Sequence, residues 1–591
     1  MLQKPNKKIK FGALFFGLCL CIHGNVFSDN EIKEKALKIS THLGRIEDSH
    51  YAGNDSPLVF VIRNVPCNPE VQSNIEKILF TLQSYYKDKI KIIGVEGDIG
   101  YVNTDLITDI PNSALRNAVA NELIKSTYLT GAEAFSAISN PNVSLYGLED
   151  WQQYTENMAH LKKGVLKDNN WRQEYSRLQL WLSKEKMKHF NKNLKLAEYY
   201  ENEYKRGKIS LAQFFVEIGN LDKGIKDKNA AITRYPNIKQ YIKNQNLTQG
   251  LDLQKADEER KLIISSLKLY ITQEEYAELL RKQNDEQELD AMLINILKEK
   301  NISIKEKFPE IDKYFVYKTA MNTIDGYGLN NEIQEYKYGL KMDLAKTSYE
   351  KELVYIDRYA EDINEYISNN ASRAMYDDFK TQQIKIINLL QAHYKGSIVK
   401  IKEKLDIMGE FYKLAVERSE ALVGTLFKYN SDARVIVAGG FYTEDLKTIL
   451  RNKGASYIVI SPQMTHVSDS KKTYLSRLYG KAMNYHVPVI SSCIYTKTFR
   501  EEAAKALLRQ AELLYEQKQI DDYALTTVLP YLARRALENN MEKDIISAIY
   551  DLVRQGYRAQ QTASKKTKKM IAVEICKSLE LEPVLIASTI Q

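Results

Sequence analysis

Glu96 stands in Gly94-Val95-Glu96-Gly97, an acid framed by glycines at the end of an apolar run. A carboxylate so placed can serve as a base or hold a hard cation. Glu149-Asp150 follows the run Val143 to Tyr146 in the same way, and Tyr442 follows Gly439-Gly440-Phe441. Arg63 to Cys67 forms a fourth polar junction of this kind. Taken singly, each reads as a turn or a helix cap. As a set they sit where open α/β sheets collect their ligand and catalytic groups, at the carboxyl ends of strands. One chemistry open to them is metal-assisted hydrolysis, with Glu96 as base or ligand and Tyr442 polarising a carbonyl. Glu149 is the third candidate. None of the eight histidines falls at these junctions, and His466, six residues beyond Ile460, reads as a lone surface histidine. Cys67, Cys493 and Cys576 form no Cys-x-x-Cys pair, so a zinc knuckle has no basis. One disulfide among the three remains open, Cys67 with Cys493 included.

The elements that would carry these residues are legible from patterning. Leu58 to Ile62 is a continuous apolar run between Pro57 and Pro66, which predicts a buried strand. Asn68, Pro69 and Glu70 then give a cap, a first helical residue and an acidic first turn. The stripe Val71, Ile75, Ile78, Leu79 and Leu82 follows at helical spacing. Ile90 to Val95 predicts a second strand, Leu115 to Leu123 a helix, and Val143 to Tyr146 a third strand. The same grammar returns late in the chain. Val435 to Ala438 and Tyr457 to Ile460 read as strands, with a helix from Thr443 to Lys453 between them.

Between these blocks only Pro236 and Pro309 interrupt a long stretch rich in Glu, Lys, Leu and Tyr at helical spacing. Ile401, Leu405, Met408, Phe411 or Tyr412, Ala415 and Leu422 form one such stripe. The expected fold is an α/β (mixed α+β) core, split in sequence by a long all-α helical insertion and followed by a helical C-terminal extension. The boundaries are a signal peptide over 1–28, core halves over 29–160 and 431–498, the insertion over 161–430 and the extension over 499–591. The insertion is expected to serve a protein partner. Deleting about Lys162 to Lys428 is expected to leave a folded core.

The first ten residues are basic, and Phe11 to Ile22 is an apolar stretch too short to span a bilayer. Val26-Phe27-Ser28 approximates a cleavage site, so the protein is expected to be exported, to a periplasm or beyond the cell. No integral membrane span is expected once the signal is removed. Lys and Arg total 84 against 76 acids, and four of those lysines lie in the signal segment. What is left is too weak and too scattered an excess for a groove-binding basic face, so nucleic acid is not an expected partner. Mean hydropathy of −0.42 and 27% charged residues exclude a polytopic membrane protein.

The order of strand, Cys67-Asn68-Pro69-Glu70-Val71-Gln72 helix, Gly94-Val95-Glu96-Gly97, Leu145 to Asp150, and Val437-Ala438-Gly439-Gly440-Phe441 resembles the exported relatives of the TraB/TIKI, ChaN and erythromycin-esterase superfamily. The resemblance covers about 180 residues in two blocks. It implies a hydrolase fold, metal-dependent in the TIKI branch, or iron or haem binding as in ChaN-like relatives. The family pattern places histidines where this chain has Pro66 and Tyr442. Of the expected site groups only Glu96 and Glu149 match. Proline offers no side-chain ligand, and a phenol is a poor base and an uncommon ligand. The resemblance therefore implies an inactive relative of a hydrolase, with no cofactor beyond a weakly held divalent ion on the carboxylates.

Overall fold

The computed structural model describes residues 43–139, 143–166, 170–221, 234–281, 286–322, 324, 326–464 and 497–520. The signal segment, His466, Cys493, Cys576 and everything after residue 520 lie outside them. At the centre is a seven-stranded mixed sheet. Its strands are β1 (Gly44–His50), β2 (Leu58–Asn64), β3 (Ile90–Val95), β4 (Ile99–Tyr101), β5 (Ser144–Leu148), β6 (Ala433–Gly439) and β7 (Ser456–Pro462). They lie in the order β1-β7-β2-β6-β3-β5-β4. The five inner strands are parallel, and β1 and β4 close the two edges antiparallel. The α/β core is thus assembled from both ends of the described chain, with β6 seated between β2 and β3.

The helices that matter for the site are α1 (Pro69–Tyr86), α2 (Ser113–Lys125), α3 (Gly131–Ile138), α4 (Trp151–Leu161), α5 (Asn170–His189), α6 (Lys192–Lys205), α7 (Ser348–Ile367), α8 (Val399–Leu426), α9 (Thr443–Asn452) and α10 (Lys497–Glu516). The start of α1 is built as its sequence dictates. The Asn68 side chain accepts from the Val71 amide at 3.0 Å, and Pro69 occupies the first turn. Its buried stripe, Val71, Ile75, Ile78, Leu79 and Leu82, packs with α3 on Phe60, Ile62, Ile93, Val435 and Val437. Each such side chain contributes up to about 1.5–3 kcal/mol by leaving water. Helix α10 lies against α2.

The opposite face of the sheet carries Val59, Val61, Ile436 and Ala438. It is covered by α9 and by the last turns of α8, through Ala415, Leu422, Val423 and Leu426. This corrects the expectation that the helical insertion is dispensable. Removing residues 162 to 428 would take the whole of α8 and leave this face covered by α9 alone.

Gly147 in β5 presses against the turn that leads into β4. A Cβ there would overlap the backbone of Asp98 and Ile99. Gly147→Ala is expected to cost about 1–3 kcal/mol by this overpacking, read as a fall in the urea midpoint. A change under about 0.5 kcal/mol, the range of ordinary surface substitutions, would show that the turn yields freely.

Candidate strand-end site

Because β6, β3 and β5 are parallel neighbours, their carboxyl ends open side by side. Glu96 leaves β3 with its amide still bonded to Val437 of β6 at 3.0 Å. Its Oε2 accepts from the Gly439 amide at 2.8 Å. The approach is close, since a Cβ on Gly439 would stand 3.2 Å from the same oxygen. Glu149 leaves β5, and its Oε1 accepts from the Gly97 amide at 2.9 Å. Asp150 beside it caps α4 through the amides of Gln152 and Gln153. Tyr442 follows β6 and is a hydrogen-bond partner of the Glu96 side chain. Glu96, Glu149 and Tyr442 therefore meet.

They meet around Arg418, from the C-terminal half of α8, a residue that sequence reasoning passed over. Its Nε donates to Glu149 Oε2 at 3.0 Å and its Nη2 to Glu149 Oε1, a two-pronged pairing. Nη2 also lies 3.4 Å from Glu96 Oε1. Nη1 donates at 2.7 Å to Asn157 of α4, whose own amide donates to the Phe411 carbonyl at 2.6 Å. The guanidinium lies over the Tyr154 and Tyr442 rings, 5.0 and 5.3 Å from their centroids. The side chains of Arg418 and Glu149 are 2% and 0% exposed, whereas Glu96 keeps 20%. Of the two carboxyls, only that of Glu96 is partly open to solvent.

Burial pushes the Glu96 carboxyl up from its usual value. Arg418 opposes the shift, the Glu149 charge reinforces it, and the Gly439 and Tyr442 hydrogen bonds oppose it. Burial also works against the Arg418 charge, but Tyr442, Glu149 and Glu96 hold that group well above its ordinary range. The folded protein binds the Glu96 proton more tightly than the unfolded chain does. Protonation therefore adds stability that is fully present below about pH 4.5 and is lost as pH rises through the folded pKa. Glu96→Gln is expected to escape that loss. Its urea midpoint should gain on the wild type as pH is raised from about 4.5 to 8; a constant difference would contradict the shift.

Pro66 lies in the turn that follows β2, whose last residue, Asn64, pairs with Gly439 at the end of β6. The turn after β2 is tied to α1: Gln72 donates to Asn64 Oδ1 at 2.8 Å and to the Val65 carbonyl at 3.0 Å, and Val65 packs with the α1 face. Tyr442 belongs to the core on the other face. At the rim, Arg63 Nη1 reaches both oxygens of Glu47 in β1, at 2.7 and 2.9 Å.

The donor set does not suit the metal that the resemblance implies. Among the described residues no group of three His, Cys, Asp or Glu is arranged to hold one. Both strand-end carboxylates already face a guanidinium, which supplies the positive charge locally. Nor, among the described residues, is any helix long and apolar enough to cross a membrane.

No protein-family model, curated protein or solved structure matches the chain.

Proposed function

We propose that this is an exported protein of the cell envelope whose α/β domain is a degenerate relative of the TraB/TIKI, ChaN and erythromycin-esterase group, serving as a non-catalytic binding or structural module. One observation carries the reading: Arg418 pairs with both oxygens of Glu149 and approaches Glu96, the two carboxylates that the resemblance would give to a metal. A guanidinium cannot be displaced by a weakly held ion without leaving a buried charge unpaired. The helical insertion, with far more surface than the core needs for cover, is the part offered to a protein partner. Metal analysis of the purified protein tests the proposal. Zinc or manganese bound tightly at one ion per chain would overturn it.

A second reading rests on Glu96 alone. A carboxyl with a raised pKa, partly open to solvent and hydrogen-bonded to Tyr442, has the makings of a general acid. On this reading the chain is a hydrolase with a rearranged site, in which Tyr442 polarises the carbonyl and Glu149 holds Arg418 in place. Hydrolysis of p-nitrophenyl acetate by the wild type, unchanged in Glu96→Gln, would remove it.

A further inference from the structure

A cavity lies within the helical insertion, between α5, α6 and α7, and shares no residue with the strand-end cluster. Its volume is about 260 Å³, room for about nine waters at liquid density. Its walls are charged, yet the charges are matched. Lys186 bonds Glu198 at 2.6 Å and Asp357 at 2.7 Å. Lys205 bonds Glu201 at 2.9 Å and Glu361 at 2.5 Å. Behind them Lys341 reaches Glu198, Glu201 and Asp357, and Lys337 bonds Glu201 at 2.7 Å. Four ammonium groups thus face four carboxylates.

An ionic ligand would unbalance a network in which every charge has its partner, and half-buried surplus charge is costly. An apolar ligand would strip water from polar walls and return no hydrogen bonds. What the cavity offers is spare hydrogen-bonding capacity of both kinds. An ammonium has three donors and a carboxylate about four acceptor sites, and Gln179, Ser183 and Asn202 add neutral ones. One wall is apolar, made by Leu182, Ala360 and the Tyr175 ring. We propose that this cavity binds a neutral polyhydroxylated small molecule, a monosaccharide in its ring form. Each hydroxyl of such a ligand both donates and accepts, and the C–H face of the ring lies on the apolar wall.

Titration calorimetry of the full chain tests this with glucose and N-acetylglucosamine, set against glycine and putrescine as zwitterionic and cationic probes. At least one sugar should saturate at roughly millimolar concentration. Ser183→Phe and Asn202→Phe each fill the cavity from an exposed position that makes no ion pair. Each should weaken the sugar at least about tenfold, or about 1.4 kcal/mol, with an unchanged melting midpoint. The proposal is overturned if neither sugar saturates, or if glycine or putrescine binds in their place. Sugar binding left intact in both variants overturns it equally, because the sugar then binds elsewhere.

Discussion

Arg418→Met is expected to lower stability by about 3–5 kcal/mol, the cost of leaving a buried ion pair half removed. Methionine fills much of the space and spans the same stem, so lost volume contributes little. The cost arises at Glu149, whose carboxylate keeps only the Gly97 amide after losing two guanidinium bonds. Asn157 Oδ1 loses its donor as well. Adding Glu149→Gln should recover a good part of the loss, because the amide oxygen still accepts from Gly97 while the stranded charge is gone. All three tryptophans lie in α4 and α5, so their fluorescence in a urea titration follows the helices bound to this cluster. A loss under about 1 kcal/mol, the range of an exposed pair, would mean that Glu149 is solvated in a way this geometry excludes.

Lys341→Met should be nearly as severe, about 3 kcal/mol, but in the insertion rather than the core. The side chain is 9% exposed and its ammonium serves three carboxylates, with Glu201 at 2.6 Å and Asp357 at 3.4 Å. Without it four carboxylates share three lysines. Lys205→Met is the matched control, because that side chain is 46% exposed and its pairs are screened by water. It should cost under about 1 kcal/mol. Equal effects from the two substitutions would show that burial does not govern the network.

How far the sequence reaches is clear from particular residues. The convergence of Glu96, Glu149 and Tyr442 follows from a rule about parallel strands, and each run of apolar residues could be seen. The cap at Asn68 and the stripe of α1 were equally open, being local. Arg418 was hidden by its company, since Glu417-Arg418-Ser419-Glu420 resembles any solvated helical turn. A signal was nevertheless present: Arg418 lies three residues after Ala415 and four before Leu422, on the buried stripe itself. Asn157 stands in the same relation to Tyr154 and Leu161. A charged residue at a stripe position is the mark that both left. The edge strands β1 and β4 were missed for another reason. Gly44 to His50 is mostly polar, and Ile99–Tyr101 has three residues, too few for any period to register.

The interleaved strand order bears on how such a chain comes to be folded at all. Val435 pairs with both Phe60 and Ile93, so the middle of the sheet arrives only after the whole helical stretch has been made. Until then β2 and β3 have no strand between them, and their inner edges stand open along runs of Val, Ile and Phe. Such edges are templates for pairing with other chains. Contacts this distant in sequence are also slow to form, because the intervening chain must be ordered before they return any stability. The helices of the insertion, rich in local contacts, can settle first and bring α8 round to deliver β6. During synthesis the protein is consequently most exposed to aggregation in the interval before Gly439 emerges, and it is there that a holding chaperone would act.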